Sequence, residues 1–275
     1  QLGTRAVTNR SAHLAKAFDA VGSRCTLQAG QHTVEIYVLR YVDDLSFQLD
    51  CETSLTGPER QRTQGLRASG AQSAFVQRRA CLRWLRETAF GNLSSPTAKA
   101  NALELPVNEY TISVSSSGPY AIFAASCSAR RIGLDVEIPD ETHNTSELAQ
   151  ELFSTFEAKA LKEASPERAN TLFYRIWRLK EAALKFHGCG LAKGLNGTCF
   201  VPNSEGLITV YQKARRGLYG STASAFFEGR FNDVDLALAL PAMPGDEGLW
   251  QVAKATQRVQ SQKLKTKTSQ IRFGT

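Results

Sequence analysis

The chain has no Cys-x-x-Cys pair, no long apolar run and no nucleic-acid-binding signature, and each absence excludes a class of function. Six cysteines (Cys25, Cys51, Cys81, Cys127, Cys189, Cys199) lie scattered along 275 residues. That spacing argues against a zinc site and predicts reduced thiols, as in a cytoplasmic protein. No apolar stretch approaches the roughly 18 residues that span a bilayer, so no membrane association is expected. Residues 1–30 hold no continuous hydrophobic segment and are not read as a secretory signal. No helix-turn-helix, zinc-finger or RNP-type motif is present, so the net charge of +7 is read as suiting an acidic partner or a phosphate-rich ligand, with no nucleic acid expected. A basic nucleic-acid-binding protein would instead show duplex affinity that falls steeply with salt.

What is there is patterned. Residues 1–30 are polar and read as an N-terminal extension. Residues 33–40 alternate as a strand, with Val34, Ile36 and Val38 on one face. Gly57-Pro58-Glu59 opens a basic stretch with Arg60, Arg62 and Arg67. A helix is expected over 74–88, with Phe75, Leu82 and Leu85 inward and solvated Arg78, Arg79, Arg83 and Arg86 around it. Residues 92–108 read as a loop. Strands at 110–114 and 120–125 flank Ser115-Ser116-Ser117-Gly118-Pro119, read as a turn. After a strand over 132–138 come helices. Ser154-x-x-Glu157 is a capping box, and Ser165-Pro166 starts a helix that Gly188 ends. Strands follow at 198–201, 207–212, 223–227 and 234–240. The expected organisation is α+β, with halves at 31–128 and 129–245 and a basic tail over 246–275.

Two charged clusters carry the chemistry. In the strand Ile132-Gly133-Leu134-Asp135-Val136-Glu137-Ile138, the period of two puts Asp135 and Glu137 on one face, with Gly133 beside them leaving room for a ligand. On the later helix, Arg178, Glu181 and Lys185 form a charged stripe. A polar edge strand or a solvated stripe would explain either cluster alone. Together, Asp135, Glu137 and Glu181 make three hard oxygen ligands, a set that suits Mg²⁺ or Mn²⁺ carrying a substrate's phosphates. Lys180 and Lys185 supply the matching positive charge.

These residues resemble the 4′-phosphopantetheinyl transferase superfamily of the Sfp type. Its signature is a Gly-aliphatic-Asp strand, then, about forty residues later, Trp or Phe and a Lys-Glu-Ala/Ser element followed by Lys. Here Gly133-Leu134-Asp135-Val136-Glu137 precedes Trp177-Arg178-Leu179-Lys180-Glu181-Ala182-Ala183-Leu184-Lys185, with Trp177 42 positions after Asp135. The resemblance implies two similar α/β halves, a pseudo-dimer in one chain, with the active site in the cleft between them. It implies transfer of the phosphopantetheine arm of coenzyme A to a serine of an apo acyl or peptidyl carrier protein, by a monomeric enzyme. Asp135, Glu137 and Glu181 would hold Mg²⁺. Glu181 would deprotonate the carrier serine, directly or through water, and Lys185 would neutralise or protonate the leaving bisphosphate. Arg60, Lys99, Ser116, Ser117, Lys180 and Lys185 would contact coenzyme A. Ser116 stands where the family commonly has a phosphate-binding His, which implies weaker phosphate binding or compensation by a nearby Arg. The alternative is a degenerate member that binds coenzyme A or a carrier without efficient transfer.

Overall fold

The computed structural model describes residues 18, 20–86, 110–140, 144–190, 195, 198–203, 206–212, 224–231, 234–242 and 251–258. Among the described residues, eleven strands and six helices form a mixed α+β fold. The order is β1 (Gly22–Ala29), β2 (His32–Arg40), α1 (Leu45–Thr53), α2 (Gly57–Gln64), α3 (Ser69–Trp84), β3 (Thr111–Ser117), β4 (Tyr120–Ser126) and β5 (Gly133–Val136). Then come α4 (Thr145–Leu152), α5 (Thr155–Glu163), α6 (Pro166–Phe186), β6 (Thr198–Pro202), β7 (Ile208–Gln212), β8 (Ser224–Phe231), β9 (Val234–Pro241), β10 (Ala253–Lys254) and β11 (Thr256–Arg258).

One sheet runs β11-β1-β2-β4-β3, a second β10-β8-β9-β5, and β6-β7 form a separate pair. The two large sheets pack face to face. Leu27, Val34, Ile36 and Ile122 of the first meet Leu134, Phe227, Leu236 and Leu238 of the second in one buried cluster. On the first sheet's outer face, Tyr37, Leu39 and Phe123 pack against Phe47, Val76, Ala80 and Trp84 from the helices. On the second's, Ala237, Ala239 and Phe226 pack against Phe173, Ile176, Leu179 and Phe186 of α6. The layers are therefore helix, sheet, sheet, helix, and strict two-residue alternation feeds both faces of each sheet.

Several elements differ from the sequence reading. Residues 22–29, read as part of an extension, form β1, with Cys25, Leu27 and Ala29 buried while Arg24 and Thr26 bond Glu35 on the outer face. Polar residues on that outer face hide the alternation. Helix α1 was not expected: only Phe47 and Cys51 are buried, while Leu45 and Leu49 are exposed, so no apolar stripe announces it. Ser115–Ser117 are not turn but the last residues of β3, in register with Tyr120–Ile122. The turn is confined to Gly118-Pro119, where Gly118 has φ +53°. Residues 253–258, read as tail, form β10 and β11. The expected loop at 92–108 lies outside the described residues.

Helix α6 ends as its sequence predicts. Gly188 has φ +66°, its N–H bonds the Lys185 carbonyl, and the Cys189 N–H bonds the Leu184 carbonyl. Its middle lies unusually close to β5. A Cβ on Gly133 would overlap the Ala182 carbonyl and the Phe186 amide. The room expected for a ligand is taken by the helix backbone, and that close approach brings the α6 side chains onto the carboxylates of β5.

Candidate active site

Strand β5 and helix α6 build one wall of a cavity of about 770 Å³. Leu134 and Val136 point into the intersheet core, so Asp135 and Glu137 face α6, where Glu181 and Lys185 project one turn apart. Lys185 Nζ lies 2.7 Å from Asp135 Oδ1 and 3.0 Å from Ser115 Oγ, and Ser115 donates to the same Asp135 oxygen at 2.7 Å. The Asp135 side chain is 3% exposed, and its second oxygen, Oδ2, is buried without a hydrogen-bond partner. Ser117 donates to Glu137 Oε2 at 3.0 Å, and the Trp177 side chain also bonds Glu137.

All three carboxylates are harder to ionise than usual. Burial raises Asp135, and Lys185 and Ser115 only partly offset it. Burial and then the neighbouring Asp135 charge raise both Glu137 and Glu181. Burial, more than the charge of the neighbours, disfavours the ionised forms of all three.

The opposite wall is basic. Arg62 of α2 and Arg78 and Arg79 of α3 line it, with Phe75 between them. The Arg62 and Arg78 guanidiniums each sit 5.9 Å from the Phe75 ring centre. Glu59 caps α2 by bonding the Thr56 amide and pairs with Arg79 and Arg83 at 2.6 and 2.9 Å. Burial alone would raise Glu59, but the Thr56 amide and these two guanidiniums pull it down to about 2. Among the described residues, no carboxylate pairs with Arg62 or Arg78. Arg78 instead donates to Ser116 Oγ at 2.7 Å.

The structure brings Asp135, Glu137, Glu181, Lys185 and Ser116 onto one cavity. Ser117 lies beside Glu137 and lines a neighbouring cavity of about 580 Å³ that shares Glu137 and Trp177. Arg60 is exposed and outside the lining, which includes Arg62, two positions on, instead. Lys180 is not in the cavity. It is 1% exposed, pairs with the buried Glu157 at 2.9 Å and donates to the Leu195 and Thr198 carbonyls. Lys99 lies outside the described residues. Arg78, Arg79 and Arg83, read as solvated, are engaged by Ser116 and Glu59. Sequence reasoning also passed over Ser115, Arg62 and Glu59. The Thr56-x-x-Glu59 capping box was a legible signal for the last, and the alternation Ser113, Ser115, Ser117 for the first.

Among the described residues, no group of three or more His, Cys, Asp or Glu is gathered into a ready-made metal cluster. The donor chemistry nonetheless fits a hard divalent cation: three carboxylates, all oxygen, with ionisation suppressed by burial and one buried oxygen unpartnered.

Residues 131–239 match the family described as the 4′-phosphopantetheinyl transferase superfamily. The chain is 31% identical over 101 residues to a provisionally named 4′-phosphopantetheinyl transferase of Synechocystis sp., covering 37% of this chain and 41% of that protein. It is 38% identical over 64 residues to the 4′-phosphopantetheinyl transferase HetI of Nostoc sp., covering 23% of this chain and 27% of that one. The matches thus span less than half the length of either relative. The resemblance holds over the segment that carries Asp135, Glu137, Glu181 and Lys185, while the arginine wall lies outside it.

Proposed function

We propose that this protein transfers the 4′-phosphopantetheine arm of coenzyme A to a serine of an apo carrier protein and releases adenosine 3′,5′-bisphosphate. The observation that carries this reading is the meeting of a carboxylate wall and an arginine wall in one cavity of about 770 Å³, within the usual range for a site that encloses a small ligand. Asp135, Glu137 and Glu181 would hold Mg²⁺, whose charge would offset that of the pyrophosphate. Glu181 accepts the proton of the carrier serine, whose hydroxyl is a poor nucleophile without a base. The serine oxygen bonds to the phosphorus that bears the pantetheine. The bond from that phosphorus to the bridging oxygen breaks, and its electron pair leaves with the bisphosphate. Lys185 supplies positive charge for the leaving group, and Arg62 and Arg78 take the remaining phosphate. In this reading Arg78, anchored on Ser116, compensates for the family's missing His.

The test is intact-mass spectrometry of an apo carrier protein incubated with this protein, coenzyme A and Mg²⁺. A gain of one phosphopantetheine, lost with EDTA and with Glu181→Ala, is expected. No gain with several unrelated carriers, despite coenzyme A binding, would overturn the transferase reading in favour of the degenerate binder.

A further inference from the structure

Strands β3 and β5 are edge strands of different sheets, and they do not pair as a ladder. Three alternate residues of β3, Ser113, Ser115 and Ser117, instead reach β5 and the two residues that follow it through their hydroxyls. Ser113 Oγ accepts from the Leu134 N–H at 3.0 Å. Ser115 Oγ donates to Asp135 Oδ1 at 2.7 Å while accepting from Lys185 at 3.0 Å. Ser117 Oγ donates to Glu137 Oε2 at 3.0 Å while accepting from the Ile138 N–H at 3.0 Å. Both strands repeat every two residues, so the spacing of the serines matches that of their partners.

We infer that Ser115 and Ser117 are positioning residues that aim the Asp135 and Glu137 carboxylates into the cavity, so that the first sheet sets the ligand geometry of the second. A hydroxyl has one proton to give. Each of these hydroxyls already accepts from a nitrogen donor, Lys185 or Ile138, so its own proton is directed at the carboxylate. One oxygen of each carboxylate is thereby fixed, and the rotation of the group with it. In Asp135 the other oxygen, the buried Oδ2, has no hydrogen-bond partner and is left for a ligand. Ser113 makes the same kind of bridge but to a backbone N–H, so it joins the sheets without orienting a carboxylate.

This inference rests on the carboxylate set of the proposed function, and its test reads metal binding rather than turnover. Mn²⁺ would be titrated into the full chain and the free ion followed by electron paramagnetic resonance. Ser115→Ala and Ser117→Ala are each expected to weaken Mn²⁺ binding by about 10–100-fold, the usual effect of losing a group that orients a metal ligand. Ser117→Thr, which keeps the hydroxyl, restores affinity, and Ser113→Ala leaves it unchanged. Wild-type affinity in both Ser115→Ala and Ser117→Ala would overturn the inference and leave the proposed function standing. Equal weakening in Ser113→Ala would also overturn it, because the serines would then only hold the sheets together. No Mn²⁺ binding by the wild-type protein would overturn the proposed metal site and the inference together.

Discussion

Glu181 shows how a site residue can work against the fold that carries it. Burial raises its pKa, Asp135 raises it further, and Lys185 only partly compensates. A carboxylate that binds its proton more tightly in the folded state favours folding at low pH. That contribution is present below the ordinary carboxylate pKa and is lost as pH rises through the raised folded value. At neutral pH the ionised group therefore costs stability. Glu181→Gln removes the charge and nearly preserves the shape. It is expected to melt at a higher temperature than the wild type at pH 7, with the difference vanishing near pH 4, while the proposed phosphopantetheinyl transfer is lost. Thermal melts of both proteins at the two pH values make the comparison, and a lower melting temperature for Glu181→Gln at pH 7 would mean that the carboxylate supports the fold. Glu59, on the other wall, behaves in the opposite sense. Its pKa is held down to about 2 by the Thr56 amide and two arginines, so its contribution is full above the ordinary carboxylate pKa and is lost progressively as pH falls to about 2.

At the scale of elements, the sequence was most legible where period and caps agree. Strand β5 shows clean alternation, and α5 and α6 begin and end at the Ser154, Ser165 and Gly188 signals. The two motifs of the candidate site sit on those elements, which is why Asp135, Glu137, Glu181 and Lys185 are legible as neighbours in the sequence. The arginine wall was not, because an arginine on a helix reads as solvated until its neighbours are known. Lys180 was misplaced for a geometric reason. Adjacent helical residues point about 100° apart, so Lys180 cannot share the cavity with Glu181. It turns instead into the junction of α5, α6 and β6, where Glu157 serves both its ion pair and the Ser154 capping box. Breaking a buried pair by removing one partner strands the other charge. Lys180→Met is therefore expected to lose about 3–5 kcal/mol in chemical denaturation, and Lys180→Met with Glu157→Gln to recover part of it. Affinity for coenzyme A, measured by calorimetry on the folded variant, stays unchanged. A large loss of affinity would return Lys180 to the binding site.

For the whole molecule, the decisive relation is between the two sheets, because the candidate cavity takes one wall from each. The arginine wall belongs to helices packed on the first sheet, and the carboxylate wall to β5 of the second. Face-to-face packing of Leu27, Ile36 and Ile122 on Leu134 and Leu238 holds that relation in the core. The last described residues hold it at the opposite edges. Strand β10 pairs with β8 in parallel, and one residue later β11 pairs with β1 in antiparallel, so a six-residue segment joins the two sheets. Ala255 N–H bonds the Glu228 carbonyl at 2.8 Å, and Lys254 meets the Glu228 carboxylate that also grips Arg175 of α6. Nothing in the local sequence marks these short strands, since their hydrogen-bond partners lie far away in the chain. A chain ending at residue 252 would lose both strands, and one ending at 258 would keep them. With each backbone hydrogen bond contributing about 1 kcal/mol net, removal of the segment should cost a few kcal/mol. In a chain of this size that lowers the melting temperature by about 10 °C. The longer truncate is the reference for the shorter one. In the shorter one, coenzyme A binding should weaken along with stability, because the two walls are no longer held in register. Equal melting temperatures for the two truncates would show that core packing alone fixes the relation of the sheets.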